Sequence, residues 1–342
     1  MNKQNIQTWI SWLRIAATVA IVMSHTCSTL TFNPDLFTLT PDESFYINAL
    51  HKLCLWSVPA FLMITGALLL RPGKKISYEV CMRKYVPRIT ACLFLFGTVF
   101  GAMKIVASAT NSGGGKSLIL KSLYSVISGE SFDHLWYLYA LIGIYMILPI
   151  LKAFVDSDKD GKGILWALGL LFTFDFVFPL LEGLANIHIE FYIPLKYTIF
   201  YLLLGYFMVT HEKLGVKLDI VLIVLMWVFF LMSEWYGKSG MIAAHHSPVR
   251  VLMAIAIFDL FRHIKSNGNV ERLWKIDRLC FGVYLIHPVF IHLSYRFLGL
   301  TPVSYGGLYP LATFGFWIAF TICAFLGTWL MTRIPFIKKL IS

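Results

Sequence analysis

Two residues in the amino-terminal apolar segment are of types that do chemistry, Arg14 and His25. An imidazole takes up and gives back a proton near neutral pH, and a guanidinium stays charged and seeks phosphate or carboxylate. Ionisable groups inside an apolar span are costly and are functional candidates by default. The pattern is R-x10-H, and at about 100° and 1.5 Å per residue the two side chains fall within about 20° of one another, roughly 16 Å apart along the axis. Taken singly, each has an ordinary explanation: Arg14 snorkels to lipid phosphates, and His25 bonds to a neighbouring helix. Their sharing of one face supports a polar channel lining just as well.

Other ionisable groups are scattered through the apolar sequence. Asp175, within Phe172–Phe176, falls mid-span, where it must pair with a cation or stay protonated. His51, Lys52, Lys104, Glu182, Glu234, Arg250 and Arg296 mark outer span ends, where interfacial anchoring or ordinary pairing explains them. His134 and His287 flank aromatic runs.

The elements that carry these groups follow from composition. The 342 residues are 58% hydrophobic, 16% aromatic and only 14% charged. A soluble chain runs near about 25% charged, so a soluble nucleotide enzyme, a disordered tail and a secreted disulfide scaffold are all excluded. The expected fold is all-α, a polytopic transmembrane helix bundle in a single domain over residues 1–342. At about 20 residues per crossing, apolar segments at about 9–30, 48–70, 87–107, 135–154, 164–185, 195–210, 218–236, 247–261, 279–298 and 309–332 predict about ten spans. No segment alternates with period two, which speaks against a β-barrel.

The net charge of +11 reads first as topology. Most of the Lys and Arg residues fall on the loops that are cytoplasmic when the N-terminus is inside, whereas the first outer loop holds Asp35, Asp42 and Glu43 with no Lys or Arg. Both termini are therefore expected to be cytoplasmic, and no nucleic-acid partner is implied. The first span is too long for a signal peptide and lacks a cleavage site. The six cysteines form no close pair in sequence and read as packing residues; only Cys27 and Cys54 could meet. The stretch 108–134, rich in Gly and Ser, is expected to be a mobile outer loop.

Three short matches are set aside. Asp156–Gly161 copies half a calcium loop, but its twelfth position is Ala167, not a bidentate Glu. Gly115-Lys116-Ser117 lacks the earlier glycine and the strand of a phosphate loop. Gly237-Lys238-Ser239-Gly240, a serine-protease-like string, lies at a span mouth. No metal site is expected.

Five stretches in order resemble the acyltransferase-3 family of integral membrane O-acyltransferases, in its short, membrane-only form. They are Arg14 with His25, the segment Ser57–Gly66, the basic Arg83-Lys84-Tyr85-Val86-Pro87-Arg88, His134-Leu-Trp-Tyr-Leu138 through Pro149, and Tyr284-Leu-Ile-His287-Pro288. The resemblance covers nearly the whole chain. It implies an O-acetyltransferase of the bacterial inner (cytoplasmic) membrane that moves an acetyl group from cytoplasmic acetyl-CoA to a hydroxyl of a cell-envelope glycan or lipid-linked sugar. His25 would be the catalytic base, with direct transfer and a transient acyl-histidine both compatible.

Coenzyme A carries a diphosphate and a ribose phosphate, so its site should be rich in Arg and Lys. The resemblance points to Arg83, Lys84 and Arg88 together with Arg14, while positive-inside topology accounts for much of the same charge. A second basic cluster, Arg262, Lys265, Arg272, Lys275 and Arg278, fits either reading. The expected donor path runs from a basic mouth past Arg14 to His25. The rival class is a transporter or flippase for a lipid-linked sugar, although no paired halves with broken helices are visible.

Overall fold

A computed structural model describes residues 3–107, 115–185, 197–211, 213–237, 246–265 and 270–341. Among them every regular element is helical and there is no strand. The chain divides into two units, Met1–Arg71 with Asp160–Met331, and Pro72–Lys159 with Thr332–Ser342.

The first unit is built around α1 (Lys3–Thr31). Buried side chains lie all round this helix, with Trp9, Leu13, Ala17, Val22 and Cys27 each at most 1% exposed, the mark of a helix enclosed by protein rather than lying on a surface. Against it pack α2 (Pro41–Leu53) and α3 (Ser57–Leu69). The start of α2 follows from local rules: Pro41 occupies the first turn, and Thr40 and Glu43 form a reciprocal capping box. Three threonines of α1 bond within the helix, Thr18 to the carbonyl of Arg14 at 2.8 Å, Thr26 to that of Val22 at 2.8 Å and Thr29 to that of His25 at 2.7 Å.

The second unit contains α4 (Val86–Ala107), α5 (Gly115–Ile127), α6 (Trp136–Ser157) and the terminal α15 (Pro335–Ile341). A π-helical turn, Cys81–Tyr85, precedes α4. Pro87 lacks an N–H and cannot donate back to the preceding turn; the chain accommodates it at the start of α4, just beyond the widened turn. Helix α5 corrects the expectation of a mobile loop over 108–134. Its serines are interleaved with Leu118, Ile119, Leu120, Leu123, Val126 and Ile127 at helical spacing, and Ser122 bonds within the helix to Leu118 at 2.8 Å. Residues 108–114 of that stretch lie outside the described residues.

The first unit resumes with α7 (Lys162–Phe172), a π-turn Thr173–Val177 and α8 (Phe178–Ala185). It continues through α9 (Tyr197–Thr210), α10 (Val216–Trp235) and α11 (Pro248–Arg262). Then come α12 (Glu271–Asp277), α13 (Cys280–His292) with a π-turn Leu293–Phe297, and α14 (Tyr309–Met331). Helices α11 to α14 all pack on α1. Helices α3 and α9 cross at backbone contact, because a Cβ on Gly66 would collide with the Leu202 carbonyl and one on Gly205 with that of Met63.

Among the described residues seven helices are long and apolar enough to cross a membrane: Gln7–Thr31, Pro41–Leu69, Tyr78–Val106, Asp133–Ser157, Lys162–Ala185, Val216–Trp235 and Pro302–Met331. The pair Glu271–Asp277 with Cys280–Phe297, bent by 49°, meets the same length and apolarity only when taken together, as a broken span or a re-entrant loop. The expected spans at 195–210 and 247–261 become helices of 14 and 15 residues. At 1.5 Å per residue these fall short of a hydrocarbon core of about 30 Å. Helix α10 leaves Ile220, Val221, Val224, Leu225, Val228 and Phe229 exposed, an apolar surface that suits lipid and not water.

Candidate active site

The R-x10-H pair sits on α1 in the middle of the first unit. Arg14 is held by Asp277, the last residue of α12: Nη1 lies 2.7 Å from each carboxylate oxygen, and Ser11, one turn earlier on α1, donates to the same carboxylate at 2.9 Å. The Arg14 side chain keeps 27% of its surface exposed, and its other guanidinium donors make no bond among the described residues. Asp277 stands at the break between α12 and α13, so the bend lies next to the residue that holds Arg14.

His25 is half-buried and stands among other imidazoles. The ring of His287, on α13, is centred 5.0 Å from it, and His51 on α2 and His292 on α13 lie close enough to feel its charge. His51 is fixed by Ser24, which precedes His25: its Nδ1 lies 3.0 Å from the Ser24 hydroxyl and 3.2 Å from the Ser24 carbonyl oxygen. Tyr295 donates to the carbonyl of Thr26, the residue after His25, at 3.2 Å. A half-exposed imidazole inside a ring of polar and titratable groups can accept a proton from a hydroxyl brought to its open side.

Of the two explanations that their positions allow, interfacial anchoring and pairing, Lys52 and Glu234 take the second. They form an ion pair between α2 and α10, with side chains 6% and 13% exposed, and Asn48 donates to the same carboxylate at 3.1 Å. Arg250, also expected at an outer end, is buried on α11 and its charge reaches His51, Tyr197 and Tyr201. Lys104, by contrast, is exposed and bonds the Glu130 carbonyl, and Arg296 is exposed and bonds Asn33. Asp175 lies in the π-turn after α7, 6% exposed, with no cationic partner among the described residues. Its backbone carbonyl lies 3.0 Å from His246 Nδ1.

In the second unit, Arg83 and Lys84 lie exposed on the π-turn, Arg83 in an ion pair with Glu79 at 2.8 Å. Arg88 points to the carboxyl-terminal helix, its Nε donating to the Leu340 carbonyl at 2.8 Å, beside the Cys92 thiol on the same acceptor. His134 is buried edge-on against Phe100 and Phe132. The acidic turn is occupied by its own lysines, Asp156 by Lys152 and Asp160 by Lys162. Lys238, Ser239 and Gly240 lie outside the described residues. Cys27 and Cys54 are both free, buried thiols.

A second polar cluster joins α10, α11 and the turn before α10. Asp219, Asp259 and His263 bring three ligand-type atoms within 4.8 Å of one another. Two of the three are engaged by other groups. His263 Nε2 faces the Leu214 carbonyl at 2.9 Å, so it carries a hydrogen there and offers no lone pair. Asp259 is occupied by Arg262 and by the Leu214 N–H at 2.7 Å. Burial, with Arg262 next in effect, pushes the neighbouring Lys213 ammonium below its usual pKa.

Sequence reasoning singled out Arg14, His25 and the basic segment, and missed what they touch. Asp277 was hidden among the cations Arg272, Lys275 and Arg278, and only its place at a helix break reveals it. His287 was visible within Tyr284–Pro288 but nothing local connects it to His25. A family model described as an acyltransferase domain matches residues 7–333, nearly the whole chain. No curated protein and no solved structure matches.

Proposed function

Since the chain belongs to the acyltransferase-3 family and is a membrane acyltransferase, we propose that it is an O-acetyltransferase. It moves the acetyl group of cytoplasmic acetyl-CoA to a hydroxyl of a cell-envelope glycan or lipid-linked sugar. It works from the bacterial inner membrane, with both termini cytoplasmic. The two short helices α9 and α11 complete ten crossings as part of the buried bundle.

His25 is the base in this reading. The acceptor's O–H bond breaks towards the imidazole as its oxygen bonds the acetyl carbon; the C–S bond then breaks, and the proton passes to the sulfur to give free coenzyme A. A transient acetyl on His25 divides the same exchange into two steps. Arg14 holds the donor with the guanidinium donors that Asp277 does not use. Exposed Arg83 and Lys84, with Arg88, attract the phosphates.

The observation that carries the proposal is the half-open imidazole of His25 on the same enclosed helix as an oriented, partly exposed arginine. The test uses purified protein, radiolabelled acetyl-CoA and an envelope extract from a strain lacking the protein. A folded His25→Ala variant should bind acetyl-CoA and transfer no label; transfer at the normal rate removes His25 as the base. An Arg14→Ala variant should lose donor affinity, and unchanged affinity in a folded protein makes Arg14 structural. Uptake of an unmodified lipid-linked sugar into vesicles, without label transfer, would establish a transporter instead.

A further inference from the structure

His287 lies on α13 with its ring centre 5.0 Å from that of His25 and the two planes inclined by 49°. It is 0% exposed. Its Nδ1 lies 2.8 Å from the carbonyl oxygen of Tyr284 and 3.1 Å from that of Val283. A carbonyl oxygen only accepts, so Nδ1 holds the proton of the neutral ring and Nε2 bears the lone pair. The next residue explains why this carbonyl is available. Pro288 has no N–H, so the helical bond that would have gone back to Tyr284 is never made. The Tyr284-Leu-Ile-His287-Pro288 string is thus a device that fixes one tautomer of a buried histidine.

We propose that His287 is a positioning residue for His25, presenting its Nε2 lone pair to the N–H that the His25 ring carries on its far side. The proposal rests on the reading of His25 as the base. When His25 takes the acceptor's proton it becomes an imidazolium with two N–H groups, one towards the reacting oxygen and one to be received by His287. His287 keeps its own proton on Nδ1 throughout, and the transferred proton leaves His25 for the coenzyme A sulfur, so the balance of the reaction is unchanged. At 5.0 Å between centres, nitrogens turned towards each other come within hydrogen-bond reach, and such bonds tighten when substrate binds. Titratable groups near this pair include Tyr284, its ring centre 6.3 Å from that of His287, and His51 on α2 and His292 on α13, with the Arg250 charge on α11 reaching His51.

The test measures label transfer from acetyl-CoA to the same envelope extract across pH, beside acetyl-CoA binding and thermal unfolding. His25→Ala comes first: if that folded variant transfers label at the normal rate, the base reading fails, and this proposal with it. If it is inactive, His287→Ala is expected to lower kcat about 100-fold with acetyl-CoA affinity unchanged. It is also expected to move the acid limb of the kcat profile to lower pH, because the His25 imidazolium has lost its support. His287→Gln, which restores an acceptor oxygen near the Nε2 position, should recover part of the rate and of the limb. Wild-type kcat in His287→Ala overturns the proposal. So do equal losses in the Ala and Gln variants with an unmoved limb, since that pattern is structural. Should His287→Ala not fold, His287→Gln against His287→Met, of similar size without that acceptor, decides on the same two readouts.

Discussion

Arg14 and Asp277 hold each other across the break between α12 and α13, with Arg14 Nη1 2.7 Å from both oxygens of the Asp277 carboxylate. The side chains are 27% and 13% exposed, so the pair is neither fully screened nor fully desolvated. A double-mutant cycle of Arg14→Ala and Asp277→Ala on unfolding free energy in detergent should give a coupling of about 1 kcal/mol. Zero coupling would mean that the carboxylate does not fix Arg14. Asp277→Asn should keep most of the fold and still loosen the guanidinium, so acetyl-CoA affinity should fall by less than in Arg14→Ala.

The crossing of α3 and α9 depends on two glycines that leave no room for a side chain. Gly205→Ala and Gly66→Ala should each destabilise the protein by about 1–3 kcal/mol or more, the scale of an overpacked interior. A helix separation that propagates through α3 into α1 should also reduce acyl transfer. Gly169→Ala is the control, because a Cβ there meets nothing within 4 Å and its melting temperature should be unchanged. Equal melting temperatures for all three variants would show that the crossing relaxes freely.

How far the sequence reveals this architecture depends on the range of the interaction concerned. Apolar length shows the seven long helices, because lipid imposes the same requirement on each stretch independently. Helices α9 and α11 come from the two shortest of the expected spans, whose ends apolar length alone does not set. Arg14 and His25 are legible as a pair because they share one helix and its fixed geometry. Asp277 and His287 come from more than 250 positions away, and no periodicity reports a contact of that kind. Lys52 and Glu234 leave anchoring and pairing both open for the same reason: each explains the other only once α2 and α10 are side by side.

That ion pair makes a sharp prediction. Lys52 and Glu234 are nearly enclosed, and removing one partner leaves a charge buried without compensation. Lys52→Met or Glu234→Gln alone should cost about 3–5 kcal/mol of stability, and the double variant should recover much of it. Unfolding in detergent measures both. A double variant as unstable as the sum of the singles would show that Asn48, which shares the carboxylate at 3.1 Å, needs the ionised pair in place.

The basic segment separates into two kinds of cation, and substitution should divide them. Arg88 donates to the Leu340 carbonyl of the terminal helix α15, whereas Arg83 and Lys84 stand exposed on the π-turn. Arg88→Ala should free α15 and make the Pro335–Ile341 segment cleavable under limited proteolysis. Arg83→Ala and Lys84→Ala should leave that cleavage unchanged and weaken acetyl-CoA binding several-fold, most at low salt, because exposed charges act through a screened field. Coenzyme A without its ribose 3′-phosphate should show a smaller loss with whichever of the two cations meets that phosphate. If both variants bind the donor as wild type does at low salt, the exposed pair belongs to membrane topology alone, and the donor's phosphates must be held by other residues.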